Sequence, residues 1–228
     1  MSVRDTVWQA LGTVLDPELD EPITALGFVA SCAVSGDGVA SVHLRLPTFF
    51  CAPNFSFLMV ADAYDAVSAV EGVTRAEIVL DDHHASTEIN GGVAAHAGFV
   101  QTFAGEAEAE LEELRRYFLE KAVLAGQDRV ARPLADAGVG PDELAGLTLG
   151  AAPASPDLDR LRRRRAALGL PAGDDAALLI HADGSAVTAA QVPLHLRRAR
   201  LTRLGMEANG DLCKSFLKTR YADPAGIG

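Results

Sequence analysis

Cysteines and long apolar runs are scarce in this sequence, and each scarcity excludes a class of protein. The chain of 228 residues has 3 cysteines and no CxxC pair, which argues against a zinc ribbon and against a disulfide framework. Isolated cysteines are typical of a reducing compartment, so we expect a cytoplasmic protein. No apolar run approaches the roughly 18 residues of a membrane span, and the first residues lack the pattern of a signal peptide. We therefore expect no membrane partner.

Basic residues are scarce in the first part of the chain. Residues 1–103 contain 3 Lys/Arg against 13 Asp/Glu, a net charge of −10, whereas the remaining residues have a net charge of −1. An acidic surface repels phosphates and tolerates bound cations, so we expect no nucleic-acid partner. Plain solubility explains the same charge equally well. The charge split and the change of composition predict two domains, residues 1–103 and residues 104–228.

Several motifs of common enzyme folds are also missing. The sequence has no P-loop, no GxGxxG after a predicted strand and no GxSxG elbow, so nucleotide-binding and α/β-hydrolase folds lack support. The basic run Arg162–Arg165 has no interleaved aromatic residues. It is therefore interpreted as a solvated helix face or a protein-docking surface rather than as a nucleic-acid site.

Hydrophobic spacing predicts an α+β fold, in which a two-layer αββαβ domain precedes a mainly helical region. In the first domain the predicted elements are a helix over residues 3–15, a hairpin of strands over 28–34 and 39–46, a helix over 54–70 and a strand over 73–80. Beyond residue 103 they are helices over 106–125, 157–168 and 195–221 and a small hairpin over 178–187. The sequence alone assigns no role to residues 104–228.

Cys51 is the first candidate functional residue. It lies between a predicted strand and the helix that Pro53 begins, and the positive end of a helix dipole favours a thiolate. Thiolates bind soft metals or attack electrophiles. Cys32 lies in register with the apolar face of its strand, so we expect Cys32 to be buried and Cys51 to be accessible. Cys213 is left undecided.

A second group of polar residues follows the last predicted strand. If a right-handed crossover joins the two strands that flank the second helix, they are parallel, and the residues after each strand meet at one edge of the sheet. His83 and His84 would then approach Cys51, and Glu88 shares a face with His84 if that segment is helical. Such a set suits iron or zinc. We expect Cys51 and one of the two histidines to share a metal ion, although solvated loop histidines are the commoner case.

The order of motifs over residues 3–82 resembles the SufT/PaaD-like family, the MIP-eighteen-type metal–sulfur cluster assembly proteins. The resemblance rests on Asp16-Pro17-Glu18-Leu19, on Leu26-Gly27-Phe28-Val29, on the hairpin and on the loop from Thr48 to Cys51. It implies the αββαβ fold, a reactive cysteine at Cys51, an acidic turn at Asp16 and Glu18, and a loop threonine at Thr48. The family has proline directly after the cysteine, whereas Ala52 intervenes here.

The resemblance implies a non-enzymatic maturation factor for metal centres. Such a factor binds iron or an iron–sulfur cluster transiently through Cys51, with zinc allowed, and assists a client metalloenzyme, by analogy an oxygenase. A homodimer is allowed. One alternative is a chaperone or scaffold that acts through the helical half, with Cys51 dispensable. The other is an enzyme with Cys51 as nucleophile and His83 or His84 as base.

Overall fold

The chain is divided into two compact units. A computed structural model describes residues 2–105, 107 and 111–222. Within them, the first unit extends to Glu113 and resumes at Ala208, and the second spans Leu114–Glu207. The sequence-based boundary at residue 103 differs from this division, because the last part of the chain returns to the first unit. Leu217 is buried in the core of that unit, and Cys213 packs against it.

The first unit has the predicted αββαβ order, so the α+β prediction is confirmed. Its leading elements are helix α1 (Val3–Leu11), strands β1 (Val29–Val34) and β2 (Val39–Arg45), helix α2 (Pro53–Ser68) and strand β3 (Arg75–Asp81). Helices α3 (Ser86–Ala94) and α4 (Phe99–Thr102) follow. The sheet order is β1-β2-β3. Strand β1 is antiparallel to β2, as expected for a hairpin, and β2 is parallel to β3.

Alternation along β2 explains how the sheet meets the helices. Ala40, Val42 and Leu44 are buried, because successive side chains of a strand point to opposite faces. They belong to one core with Phe57 and Val67 of α2. Because β2 and β3 are parallel, the loops that follow them leave the same edge of the sheet. Cys51 lies in the loop after β2, and His83 and His84 lie in the loop after β3.

The second unit is helical. Its elements are most of α5 (Glu112–Asp136), α6 (Pro141–Gly146), α7 (Pro156–Ala167), a 3-10 turn at Ala189–Gln191 and the first part of α8 (Val192–Arg220). The helix predicted over 106–125 corresponds to α5, which continues to Asp136. Residues 106 and 108–110 of that prediction lie outside the described part of the chain. The predicted hairpin is reduced to one bridge between Ile180 and Ala186. The helix predicted over 195–221 is found as α8, which begins three residues earlier.

The basic run of α7 is partly internal, which corrects its interpretation as a solvated or docking face. Arg165 is fully buried and donates to the carbonyl oxygens of Ala177 and Leu178 at 2.8 and 2.5 Å. Buried charges are tolerated when they are hydrogen-bonded. Arg165 therefore holds together the second unit, whose apolar core includes Leu149, Leu161, Leu178 and Val192.

Candidate functional site

The loop between β2 and α2 carries the thiol that the sequence singles out. Cys51 immediately precedes Ala52, the N-cap of α2, and Pro53 occupies the first turn. The side chain of Cys51 is half-buried, and the Thr48 hydroxyl lies 3.4 Å from its sulfur. Cys32 on β1 is buried. The predicted contrast between a core thiol and an accessible one is therefore confirmed.

His83 fastens this loop to the loop after β3. The Nδ1 atom of His83 accepts a hydrogen bond from the backbone N–H of Ala85 at 3.1 Å. Nε2 therefore carries the proton, and it donates to the carbonyl oxygen of Cys51 at 2.7 Å. Burial lowers the pKa of His83, against the opposing effect of the Cys51 hydrogen bond. His83 is thus a neutral residue that holds the two loops together, and both ring nitrogens are engaged.

His84 and Glu88 face a different cavity from Cys51. His84 is exposed, and its Nδ1 donates to the carbonyl oxygen of Phe49 at 3.0 Å. Glu88, also exposed, lies in the first turn of α3. Both line an open cavity of about 770 Å³ with Ala52, Phe99 and other residues, whereas Cys51 lines a cavity of about 180 Å³.

The predicted ligand set does not converge into a preformed metal centre. Over the described residues, no group of three or more His, Cys, Asp or Glu side chains is placed to hold a metal ion. Both ring nitrogens of His83 bond to the backbone, so a metal ion at His83 would have to displace one of these bonds, and His83 as a ligand stays a prediction. That Cys51 and His84 share an ion stays a prediction. The arrangement gives zinc no support, since structural zinc sites use four closed ligands.

The acidic turn after α1 lies beside the Cys51 thiol. Asp16 is buried, and its Oδ1 accepts hydrogen bonds from the backbone N–H groups of Glu18 and Leu19, both at 2.9 Å. Burial raises the pKa of Asp16 to about 6, although these hydrogen bonds act in the opposite direction. A buried carboxylate that no cation neutralises is unfavourable for folding. Carboxyl groups with a pKa raised in this way are frequent at functional sites.

The smaller cavity brings together residues from three distant parts of the chain. Asp16 and Glu18 come from the acidic turn, Cys51 from the loop before α2, and Cys213 from α8. The rest of the lining is mainly apolar and includes Leu19, Phe28, Leu46, Phe55 and Met59. Sequence reasoning left Cys213 undecided. The one available signal was its spacing from Leu217, which places both residues on one face of a helix.

The end of α8 also hydrogen-bonds to the loops that follow β2 and β3. Arg220 donates to the carbonyl oxygens of Leu46 at 3.0 Å and Asp82 at 2.6 Å. The Tyr221 hydroxyl donates to the Asp82 carboxylate at 3.3 Å, and the Arg45 guanidinium lies 4.5 Å from the Tyr221 ring centroid. These contacts attach residues after β2 and after β3 to the same helix end. Nothing in the sequence pattern indicated them.

Comparisons with known proteins give a match over the first part of the chain. Residues 4–78 match the model of a family described as iron–sulfur cluster assembly protein. The resemblance to an iron–sulfur assembly family is thereby confirmed for about a third of the chain, and this third includes Asp16, Glu18, Thr48 and Cys51. The match supports a role in iron–sulfur cluster assembly.

One relative of this chain comes from Methanocaldococcus jannaschii. An uncharacterised protein of that organism is 28% identical over 90 residues, which cover 40% of this chain and 93% of the relative. No solved structure matches the chain significantly. Among the described residues, no helix combines the length and the apolar character needed to cross a membrane. The second unit lies outside the family match.

Proposed function

We propose that this protein is a carrier in iron–sulfur cluster assembly, which binds iron or a cluster transiently at Cys51 and delivers it to a client metalloenzyme. The observation that carries the proposal is the position of Cys51 within the family match. Its thiol lies at the N-terminal end of α2 and lines a cavity with Asp16 and Glu18. Iron–sulfur clusters are bound through cysteine thiolates.

The carboxylates of the acidic turn have a defined part in this proposal. Asp16 is fixed by its two hydrogen bonds to the backbone, and Glu18 is half-buried at the same cavity. A bound cation would compensate the buried negative charge of Asp16. Thr48 would orient the sulfur, because its hydroxyl lies within hydrogen-bonding distance of the thiol.

A non-enzymatic role fits the surroundings of the thiol better than nucleophilic catalysis. A catalytic cysteine needs a base within hydrogen-bonding reach of its sulfur. His83 donates its Nε2 proton to the carbonyl oxygen of Cys51, and His84 donates its Nδ1 proton to that of Phe49. The Cys51 sulfur has the Thr48 hydroxyl as its neighbour, and a hydroxyl is too weak a base for that task.

Two exposed aromatic residues supply a surface for the client. Phe49 and Phe50 are 45% and 77% exposed, directly before Cys51 in the chain. The Phe50 ring packs near the exposed His84, with ring centroids 5.7 Å apart. Aromatic residues are enriched where proteins dock. We propose a cytoplasmic client, an oxygenase by analogy, that contacts this loop while it takes the metal.

The test is anaerobic reconstitution with ferrous iron and sulfide, followed by metal analysis and absorption spectroscopy. We expect wild type to hold iron and to pass it to an apo-ferredoxin, and Cys51→Ala to lose both properties. Cys32→Ala is the matched control, because its thiol is buried in the core of the first unit. If Cys51→Ala holds and transfers as much iron as wild type, the carrier role is wrong. A scaffold role for the helical half would then explain the protein better.

A further inference from the structure

The cavity beside Cys51 contains a second thiol, which comes from outside the family match. Cys213 of α8 and Cys51 line the same space of about 180 Å³. The match ends at residue 78, so the family resemblance assigns no function to Cys213. Soft thiolate ligands select iron–sulfur centres and other thiophilic metals. A pair of thiols at one small cavity therefore offers more for such a metal than Cys51 alone.

The position of Cys213 is fixed by contacts on both sides of it along α8. Lys214 forms an ion pair with Glu21 at 2.7 Å. One turn later, Leu217 is buried in the core of the first unit, and Arg220 donates to the carbonyl oxygens of Leu46 and Asp82. These contacts tie α8 to the acidic turn and to the two loops. The thiol therefore has a defined position rather than that of a surface cysteine.

The surroundings of the Cys213 thiol are partly buried and acidic. Burial, together with the nearby acidic groups of Asp16, Cys51, Glu18 and Glu21, raises the pKa of Cys213 to about 11. The thiol of Cys213 is therefore protonated at neutral pH. A metal cation at the cavity would displace that proton, because thiol ligands bind metals as thiolates and release protons on binding.

We propose that Cys213 is the second sulfur ligand of the metal held at Cys51, so that a thiophilic divalent metal, ferrous iron in the cell, is bound by a pair of thiolates at this cavity. This inference rests on the proposed carrier function and extends it to the C-terminal helix. Asp16 and Glu18, from the same lining, place negative charge near the bound cation. Because the described residues offer no ready group of three or more ligands, other coordination positions stay open to a client. An incomplete coordination shell suits a carrier that must release its metal.

The test uses cobalt(II) as a spectroscopic substitute for ferrous iron. Each thiolate bound to cobalt adds to a sulfur-to-metal charge-transfer band, so the intensity at saturation reports the number of sulfur ligands. The full chain is titrated anaerobically with cobalt as wild type, Cys51→Ser, Cys213→Ser and Cys32→Ala. We expect Cys213→Ser to retain about half of the wild-type band and to bind roughly tenfold or more weakly, a change of about 1.4 kcal/mol or more. Cys32→Ala should match wild type.

The outcomes separate this inference from the carrier function. If Cys213→Ser matches wild type in intensity and affinity while Cys51→Ser loses the band, the two-thiolate site is wrong and the carrier function stands. If neither substitution changes cobalt binding, both are wrong. Circular dichroism melting of each variant controls for folding. Ser215→Ala, an exposed change two residues along α8, controls for effects on the helix itself and should bind cobalt as wild type does.

Discussion

The Nε2–H group of His83 donates to the carbonyl oxygen of Cys51 across 2.7 Å. This bond joins the loop after β2 to the loop after β3, which are distant in sequence and adjacent at one edge of the sheet. It determines where the Cys51 backbone lies, and hence where its thiol points, without engaging the thiol. The histidine beside the cysteine is therefore a positioning residue in this arrangement.

Replacing His83 should loosen the Cys51 loop. His83→Ala leaves the Cys51 carbonyl and the Ala85 N–H without their partner, and we expect a loss of about 1–3 kcal/mol in the free energy of unfolding, the range for buried polar groups left unpaired. Urea denaturation measures this loss. His84→Ala is the matched control, since His84 is exposed and its removal should have a smaller effect. Equal losses in the two variants would contradict the positioning role.

Asp16 should make stability fall as the pH rises from about 4 to about 6. Burial raises the pKa of Asp16 to about 6 from an ordinary 3.8, so the folded state binds more protons than the unfolded state in that window. The stability present at low pH is lost as pH rises through this window, by at most roughly 3 kcal/mol. Asp16→Asn keeps the oxygen acceptor and removes the charge.

The Asp16→Asn variant should therefore be more stable than wild type at pH 7.5 by roughly 1–3 kcal/mol, and the two should converge near pH 4. Urea denaturation at both pH values measures the difference. A gap of the same size at both pH values would show that the charge of Asp16 is not its cause. Increased stability together with a loss of iron binding would assign the carboxylate to function.

The three cysteines should react with iodoacetamide in a definite order. Cys51 is half-buried and lies at the start of α2, so it should react first. Cys213 should react more slowly, because its pKa is raised to about 11 and little thiolate exists at pH 7.5. Cys32 is 8% exposed and its pKa is also raised by burial, so it should react last. Mass spectrometry of the native protein gives the order, and early reaction of Cys32 would contradict the fold of the hairpin.

Patterns within short segments predicted much of the first unit. The alternation of Ala40, Val42 and Leu44 and the helix start at Pro53 depend on neighbouring residues, and both are found. Parallel pairing of β2 with β3 followed from the connection between them. That pairing correctly placed the residues after the two strands at one edge of the sheet.

Features that depend on contacts distant in sequence could not be predicted in this way. His83 is predicted as a metal ligand because sequence reveals a side chain and not the backbone carbonyl that it meets. Cys213 lacks a motif, and its place at the cavity depends on the return of α8 to the first unit. Arg165 carries a charge yet is fully buried, because the carbonyl oxygens of Pro171, Ala177 and Leu178 accept its hydrogen bonds.

Arg220 should protect the loops at the cavity from local opening. Arg220→Ala removes hydrogen bonds to the carbonyl oxygens of Leu46 and Asp82, so we expect faster amide hydrogen exchange in residues 46–51 and 82–84. The free energy of unfolding should fall by about 1.5–3 kcal/mol, the range for hydrogen bonds to a charged group. Lys218→Ala, an exposed change on the same helix, is the control. Unchanged exchange in both loops would mean that Arg220 does not hold them.

Phe50 should matter for delivery and not for folding. Its side chain is 77% exposed, so Phe50→Ala should change the free energy of unfolding by no more than about 0.5 kcal/mol, the usual range for surface substitutions. Iron loaded at Cys51 should be retained, because the thiol and its cavity are untouched. Transfer to an apo-ferredoxin should slow several-fold, because the client loses an aromatic contact beside the metal. Phe216→Ala is the matched control, because Phe216 is a 53% exposed phenylalanine on α8. Equal transfer rates for the two variants would show that the loop before Cys51 does not contact the client.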